Sequence, residues 1–181
     1  MKKFVLVTLL VLLAGQVWAE GLFSIVYNPP KEMVGFSLGG YDDVAKFGLF
    51  FDVKSTVHPR DSEMQYDNID QNQAENIFND QLLETQSDIL TIDLGLLNKL
   101  SDNNFLYYGL GITTIAEHRK YIDEYAILGT GGQYWITGKQ ESKLNFTGGL
   151  IFKLPHNFTF QIGVETMPTS FQIGLGGRFA I

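Results

Sequence analysis

The residues best placed for chemistry are charged side chains inside segments that otherwise consist of apolar and small residues. They are Asp93, Lys153, Glu165 and Arg178. Each has the parity of the polar positions in its segment, so in a β-strand it would share a face with them. Because a buried charge needs an opposite charge or water, the four residues predict a charge network in the interior of a fold. The spacing puts Glu165 and Arg178 at different heights, so we expect Arg178 to pair with a carboxylate such as Asp93 or with water.

The segments around these residues alternate between apolar side chains and polar or small ones, as in a β-strand with two unlike faces. The C-terminal segment shows this best, since Phe171 and Ile173 flank Gln172 and the pattern continues to the end of the chain. Eight segments follow the alternation, the first of them weakly. They are residues 22–27, 34–40, 45–54, 89–99, 105–115, 143–154, 158–165 and 171–181. Together they predict an all-β chain.

The polar positions of these segments are rich in glycine, and this favours a membrane barrel over a soluble one. Alternation alone also fits a soluble barrel whose apolar faces point inward. A narrow eight-stranded barrel leaves little room for interior side chains, whereas a water-facing sheet gains nothing from glycine, which weakens strands. Several segments reach the about 9–11 residues that a tilted strand needs to cross the hydrocarbon layer. We therefore predict an eight-stranded antiparallel up-and-down transmembrane β-barrel.

The predicted connections alternate between short and long. Residues 41–44, 101–104 and 155–157 form short connections on one side, and residues 55–88 and 116–142 form long ones on the other. Bacterial barrels have short periplasmic turns and longer outer loops, so the two long connections are predicted to be extracellular. Residues 126–137 are apolar enough for a ninth strand. We interpret them as an ordered part of the second loop, with residues 129–132 as a turn.

The N-terminal residues 1–19 have the features of a secretory signal peptide. Lys2 and Lys3 precede an apolar run, and small residues at Val17 and Ala19 predict cleavage before Glu20. The remaining residues 20–181 form one predicted domain, and their formal charge is −9 where the whole chain has −7. This acidic balance argues against nucleic-acid binding. The chain has no cysteine, which excludes disulfides.

Residue types used in catalysis are present, but their spacing does not indicate a catalytic site. A barrel-embedded hydrolase needs a serine activated by a histidine, and only His118 and Ser142 are candidates, with no support from their spacing. Neither an enzyme nor a cofactor nor a metal site is expected. Seven acids lie between residues 61 and 84, namely Asp61, Glu63, Asp67, Asp70, Glu75, Asp80 and Glu84. They lack the spacing of the helix–loop–helix calcium site, so a solvated loop is the interpretation.

The last three segments carry a resemblance to a known class of proteins. They read NFTGGLIFK at residues 145–153, FTFQIGVE at 158–165 and FQIGLGGRFAI at 171–181. The chain resembles the small outer-membrane β-barrel domains of Gram-negative bacteria, and the resemblance covers residues 20–181. Such chains usually end in an aromatic residue, whereas this one ends in Ile181 with Phe179 two positions earlier.

The resemblance implies export through the periplasm, a place in the outer membrane in contact with its lipid, and a monomer. It also implies a structural or surface-interaction role, in which loops 55–88 and 116–142 engage an extracellular protein or another surface ligand. Two alternatives stay open at this point. One is a narrow channel, which needs a wet lumen, and the other is a soluble periplasmic lipocalin-like carrier of an apolar ligand.

Overall fold

The computed structural model describes residues 20–42, 44, 46–56, 64–66, 69–123, 125 and 132–180. The predicted signal peptide lies outside these residues. The described part of the chain contains nine strands and three helical turns. The strands are β1 (Glu20–Asn28), β2 (Met33–Asp42), β3 (Phe47–Thr56), β4 (Met64–Tyr66), β5 (Gln81–Ser101), β6 (Asn104–Ile122), β7 (Gln133–Lys153), β8 (Phe158–Thr166) and β9 (Thr169–Ala180), and the helical turns are Pro29–Lys31, Gln73–Ile77 and Pro155–Asn157.

Eight of the strands form a closed antiparallel ring, which confirms the predicted fold class. Their order is β7-β6-β5-β3-β2-β1-β9-β8, and pairing of β7 with β8 closes the ring. The three-residue strand β4 pairs in parallel with β7 and does not enter the ring. Strands β3 and β8 are four places apart in either direction around the ring, so they face each other across the interior.

The chain divides into two compact units. We call residues 1–55, 91–113 and 143–181 the barrel unit, and residues 56–90 and 114–142 the loop unit. Strands β5, β6 and β7 are 21, 19 and 21 residues long, and each has part of its length in both units.

The outward face of the barrel unit is apolar and exposed, whereas its inward face is polar and buried. Exposed side chains include Ile92, Leu110, Phe146 and Leu175, of which Leu175 is 66% exposed. Buried polar side chains on the inward face include Asp52, Lys54, Asp93, Asn145, Gln161 and Gln172. A soluble lipocalin-like carrier requires the reverse arrangement, so that alternative is wrong. The outward face is instead suited to hydrocarbon, and we take the barrel-unit strands as the membrane-spanning segments.

The inward face is also tightly packed, and the glycines predicted to line it have a steric reason to be there. A Cβ atom on Gly163 would overlap the hydroxyl of Tyr107 and would lie 2.8 Å from the carbonyl oxygen of Gly148. Part of the same interior is apolar and fully covered. It consists of Leu22, Tyr41, Phe50, Leu97, Phe105, Tyr107 and Ile151. The barrel unit is therefore filled by side chains, as expected for a ring of eight strands.

The predicted long connections are shorter than expected because the strands continue into them. Residues 81–88 belong to β5, residues 116–122 to β6 and residues 133–142 to β7. Of the predicted second-loop insert, residues 133–137 are a continuation of β7, and residues 126–131 lie outside the described part of the chain. Among the helical segments that the structure describes, none has the length and apolar character needed to cross a membrane.

Candidate functional site

The barrel interior contains a buried group of charges that we call the carboxylate–lysine cluster, formed by Asp52, Lys54, Asp93 and Glu165. Asp52 and Lys54 lie two residues apart on β3, so they share its inward face. Asp93 comes from the neighbouring strand β5, and Glu165 from β8 on the opposite wall. None of the four side chains is exposed to solvent. The cluster therefore bridges the interior from one wall to the other.

Lys54 is the hub of this cluster. Its ammonium group lies 2.5 Å from Asp52 Oδ2 and forms an ion pair with Glu165 Oε1. Asp93 Oδ2 is further away, at 3.6 Å. Asp93 is held separately, because the side-chain amide of Asn145 donates a hydrogen bond to its Oδ1 atom at 2.8 Å. With all four groups ionised, three negative charges face one positive charge.

The four residues predicted to form one charge network divide between two places. Asp93 and Glu165 belong to the carboxylate–lysine cluster, whereas Lys153 and Arg178 lie beside Glu20. Lys153 Nζ is 2.6 Å from Glu20 Oε2, and Arg178 Nη1 is 3.4 Å from Glu20 Oε1. Arg178 also donates to the side-chain oxygen of Asn157 at 3.2 Å. Its carboxylate partner is thus Glu20 rather than Asp93.

Sequence reasoning did not assign Asp52, Lys54 and Glu20 to a network. The polar parity of Asp52 and Lys54 on β3 was visible in the sequence and would have included them as inward-facing candidates. The stagger between strands decides which inward residues share a height, and alternation within one strand carries no information about it.

The loop unit is built around aromatic residues that we call the tyrosine cluster, with Tyr66, Tyr121 and Tyr134 at its centre. The rings of Tyr121 and Tyr134 stack with centroids 5.9 Å apart, and the ring of Tyr66 meets that of Tyr134 edge-on at 5.7 Å. Ala74 and Ile136 are buried in the same group. The pairing of β4 with β7 sets Tyr66 opposite Ile136.

Two tyrosine hydroxyls of this cluster donate hydrogen bonds to carboxylates. Tyr121 donates to Glu75 Oε1 at 2.7 Å, and Tyr134 donates to Asp80 Oδ2 at 2.6 Å. Burial, followed by the hydrogen bond to Glu75, raises the pKa of Tyr121 to about 12. Burial also raises the pKa of Tyr134. The hydrogen bond from Tyr121, followed by one from Gln71, lowers the pKa of Glu75. The described part of residues 61–84 thus contains β4, the helical turn Gln73–Ile77 and the start of β5, where the acidic composition predicted a solvated loop.

The serine–histidine pair considered from the sequence has separate partners. His118 Nε2 lies 3.3 Å from Asp88 Oδ2. Ser142 Oγ lies 3.2 Å from the hydroxyl of Thr114, four residues before His118 along β6. The two residues therefore lie at different heights in the loop unit.

Comparison with solved structures identifies the fold. The crystal structure of Ail, the attachment invasion locus protein of Yersinia pestis, matches with a TM-score of 0.56 and 16% identity, over 90% of this chain and 100% of that one. A crystal structure of Ail in complex with the heparin analogue sucrose octasulfate matches with a TM-score of 0.52 at the same identity and coverage. No known protein family matches the sequence, and no curated protein matches it either.

The likeness to Ail and the exposed apolar face agree on one architecture. The fold is that of a small eight-stranded outer-membrane β-barrel, so the resemblance stated from the sequence is confirmed at the level of the fold. A belt of exposed apolar side chains around a buried polar interior has a physical reason only in lipid. The barrel-unit strands are therefore suited to cross a lipid membrane.

Proposed function

We propose that this protein is a non-enzymatic outer-membrane barrel whose loop unit binds a partner of positive charge at the cell surface. The predicted loops 55–88 and 116–142 make up almost all of the loop unit. We place the loop unit outside the cell because the longer connections of bacterial barrels are extracellular. The barrel unit anchors the loop unit in lipid, and the loop unit supplies the binding surface.

The uneven distribution of charge carries this proposal. The loop unit has twelve acidic and four basic residues, a formal charge of −8, whereas the barrel unit from Glu20 onward has eight acidic and seven basic residues. Nearly all of the excess negative charge therefore belongs to the part of the chain that is not embedded in lipid. A surface with mostly negative charges attracts positively charged partners and repels negatively charged ones.

The order of the loop unit supports a binding role over that of a mere spacer. Its tyrosine cluster and ion pairs hold the acidic strands in place, so a partner would lose little free energy to ordering them. Among the ion pairs, Arg119 Nε lies 2.5 Å from Glu117 Oε1. The hydrogen bond to Glu117 raises the pKa of Arg119 and keeps it charged.

One Ail structure contains a polysulfated heparin analogue. The loop unit of this chain is suited to the opposite class of ligand, because its net negative charge would repel sulfate groups. We expect no heparin binding.

The packed interior of the barrel unit supports this proposal against the alternative of a narrow channel. Large side chains with no exposure, including Tyr41, Phe105, Tyr107, Gln161 and Gln172, occupy the inward face. A conducting lumen would need a continuous path of water past these residues and past the carboxylate–lysine cluster.

The test is a binding measurement on the full chain in lipid nanodiscs, with poly-L-lysine and heparin as the two probes. We expect binding of poly-L-lysine, weakened by salt as screened surface charges require, and no binding of heparin. Replacing two exposed loop-unit acids, Asp70→Asn with Glu84→Gln, is expected to weaken binding by about fivefold, the sum of two exposed ion pairs.

The matched control replaces two acids of the barrel unit, Glu32→Gln with Asp102→Asn, and is expected to leave binding unchanged. The proposal fails if the chain binds heparin and not poly-L-lysine. It also fails if the control pair weakens binding as much as the loop-unit pair, since the loop unit would then not be the binding surface.

A further inference from the structure

The exposed apolar face of the barrel unit contains a groove of about 620 Å³, which we call the rim groove. Strands β1, β8 and β9 and the turn before β8 line it, with Phe23, Leu154, Pro155, His156, Phe158 and Leu175 among the lining residues. Its volume falls within the range of about 300–1,000 Å³ that small-molecule sites have. A mainly apolar lining with a few polar groups is also typical of such sites.

Two phenylalanine rings form the walls of the rim groove. Strand β9 lies between β1 and β8, and its Gly177 is directly opposite Phe23 on β1 and Phe158 on β8. Because glycine has no side chain, the Phe23 ring leans over it, and a Cβ atom on Gly177 would lie 2.9 Å from that ring. The Phe158 side chain lies on the other side of β9 and is 61% exposed. The outward surface is therefore low at Gly177, between two aromatic side chains.

The position of the rim groove determines the chemistry of its occupant. Its walls belong to the same exposed apolar face as Ile173 and Leu175, the face that is suited to hydrocarbon. The molecule that reaches a groove on this face is a lipid, and the part that fits between two phenyl rings is an acyl chain. Moving an acyl chain from the bilayer into the groove removes no apolar surface from water. Close packing against the rings and a contact to the lipid headgroup must therefore supply the preference for this position.

The turn at residues 155–157 supplies the polar end of the rim groove. His156 is exposed there and lines the groove with its neighbours. Arg178, whose side chain is 26% exposed, donates a hydrogen bond to the side chain of the last residue of this turn at 3.2 Å. Arg178 and Lys153 share the carboxylate of Glu20, so two cations face one anion at this end of the barrel unit. Such a group of donors and positive charge is complementary to a phosphate.

We propose that the rim groove binds one phospholipid, with an acyl chain between Phe23 and Phe158 and the phosphate at His156 and Arg178. The short turns of bacterial barrels are periplasmic, so the bound lipid belongs to the periplasmic leaflet. The site lies in the barrel unit and is separate from the loop unit. Its failure would leave the proposed surface function intact.

The experiment measures lipid retained by the full chain, using native mass spectrometry of the protein released from detergent micelles. Two probes with identical acyl chains are added, dioleoyl phosphatidylglycerol and dioleoylglycerol, which lacks the phosphate. We expect one phosphatidylglycerol per chain. Dioleoylglycerol is expected to bind about fivefold more weakly, because it makes no contact with the basic end of the groove.

Two variants test the two halves of the site, and each has a matched control. Phe158→Ala removes one wall and is expected to lower retention of phosphatidylglycerol about threefold, whereas Phe171→Ala at the other end of the outward face leaves it unchanged. His156→Asn removes the donor of the turn and is also expected to lower retention about threefold. Lys46→Asn is its control, because Lys46 lies in another short turn with nearly the same positive φ, 58° against 59°, which asparagine tolerates.

Three results would overturn the proposal. If dioleoylglycerol is retained as well as phosphatidylglycerol, the turn does not contact a phosphate. If Phe171→Ala and Lys46→Asn lower retention as much as Phe158→Ala and His156→Asn do, the lipid binds the apolar face without preference for the groove. If the spectrum shows a dimer of the chain without bound lipid, a second copy and not a phospholipid occupies the groove.

Discussion

The carboxylate–lysine cluster of the barrel unit and the tyrosine cluster of the loop unit both contain carboxylates, but the groups that contact those carboxylates differ. In the barrel unit, Asp52 and Glu165 meet the charged Lys54. In the loop unit, Asp80 and Glu75 accept hydrogen bonds from neutral tyrosine hydroxyls. Burying an ion is costly, and the opposite charge of Lys54 offsets part of that cost for Asp52 and Glu165. In the loop unit, Glu75 is 35% exposed and also lies 3.6 Å from Arg119 Nη1. Asp80 is buried and accepts its hydrogen bond from the neutral Tyr134 hydroxyl.

The two regions also differ in how closely their backbones pack. In the loop unit, a Cβ atom on Gly138 would lie 3.2 Å from the carbonyl oxygen of Glu117, a contact that a small shift relieves. In the barrel unit, a Cβ atom on Gly35 would overlap the backbone of Val53, which cannot move without breaking strand pairing. The barrel interior therefore tolerates less change than the loop unit does.

The largest expected effect comes from Lys54→Met, which removes the only cation of the carboxylate–lysine cluster. We expect a loss of about 3–5 kcal/mol in the free energy of unfolding, because three carboxylates stay buried without a partner charge. The measurement is urea unfolding in lipid vesicles. Lys139→Met is the control, since this side chain is 78% exposed, and its effect is expected within about 0.5 kcal/mol. If both variants lowered the free energy of unfolding equally, the buried carboxylates of the barrel unit would not depend on the charge of Lys54.

A smaller and more local effect is expected from Tyr134→Phe. The buried carboxylate of Asp80 loses its hydroxyl donor, at a cost of about 1–3 kcal/mol. Because the contact lies in the loop unit, we expect faster amide hydrogen exchange at residues 133–137 and unchanged exchange in β8 and β9. Tyr125→Phe is the control, because Tyr125 is 64% exposed. Faster exchange throughout the barrel strands would instead mean that the two units unfold together.

Alternation within single strands was enough to predict the ring of eight strands and which side chains face inward. Asp93, Lys153, Glu165 and Arg178 were identified in this way, because parity is a local property of the chain. The partners of these residues could not be predicted, since they depend on the stagger between strands. Lys54 illustrates the gap, for its contact with Glu165 joins opposite walls of the barrel unit and residues that are far apart in sequence.

The full lengths of β5, β6 and β7 also could not be predicted from the sequence. Residues 81–88 read QLLETQSD, without a clean alternation, and they were assigned to a loop although β5 begins at Gln81. Backbone pairing with neighbouring strands, rather than a buried apolar face, holds this stretch extended. Tyr134 and Ile136 were noticed as apolar, but their role in the tyrosine cluster depends on β4, three residues that no periodicity can reveal.

The smallest expected effect is a dependence on pH that belongs to the loop unit. Hydrogen bonding lowers the pKa of Glu75 from 4.5. A lowered folded-state pKa stabilises the fold above pH 4.5, and this contribution is lost as the pH falls through the lowered value. Tyr121 affects stability at the alkaline end of the pH range, because its pKa is raised from 10.0 to about 12. Its contribution is complete below pH 10 and is lost as the pH rises towards 12.

Fluorescence of Trp135 in the loop unit, followed from acid to alkali together with tyrosinate absorbance, tests this dependence. In the wild-type chain, we expect the Trp135 fluorescence to stay constant between the acid transition and the alkaline transition. Tyr121→Phe is expected to weaken the acid limb, because Glu75 then loses the donor that lowers its pKa, and to remove the contribution of Tyr121 at alkaline pH. Tyr125→Phe is expected to change neither limb. An acid limb that survives Tyr121→Phe unchanged would mean that the tyrosine–carboxylate contact does not hold the loop unit, and the contrast with the barrel interior would then rest on packing alone.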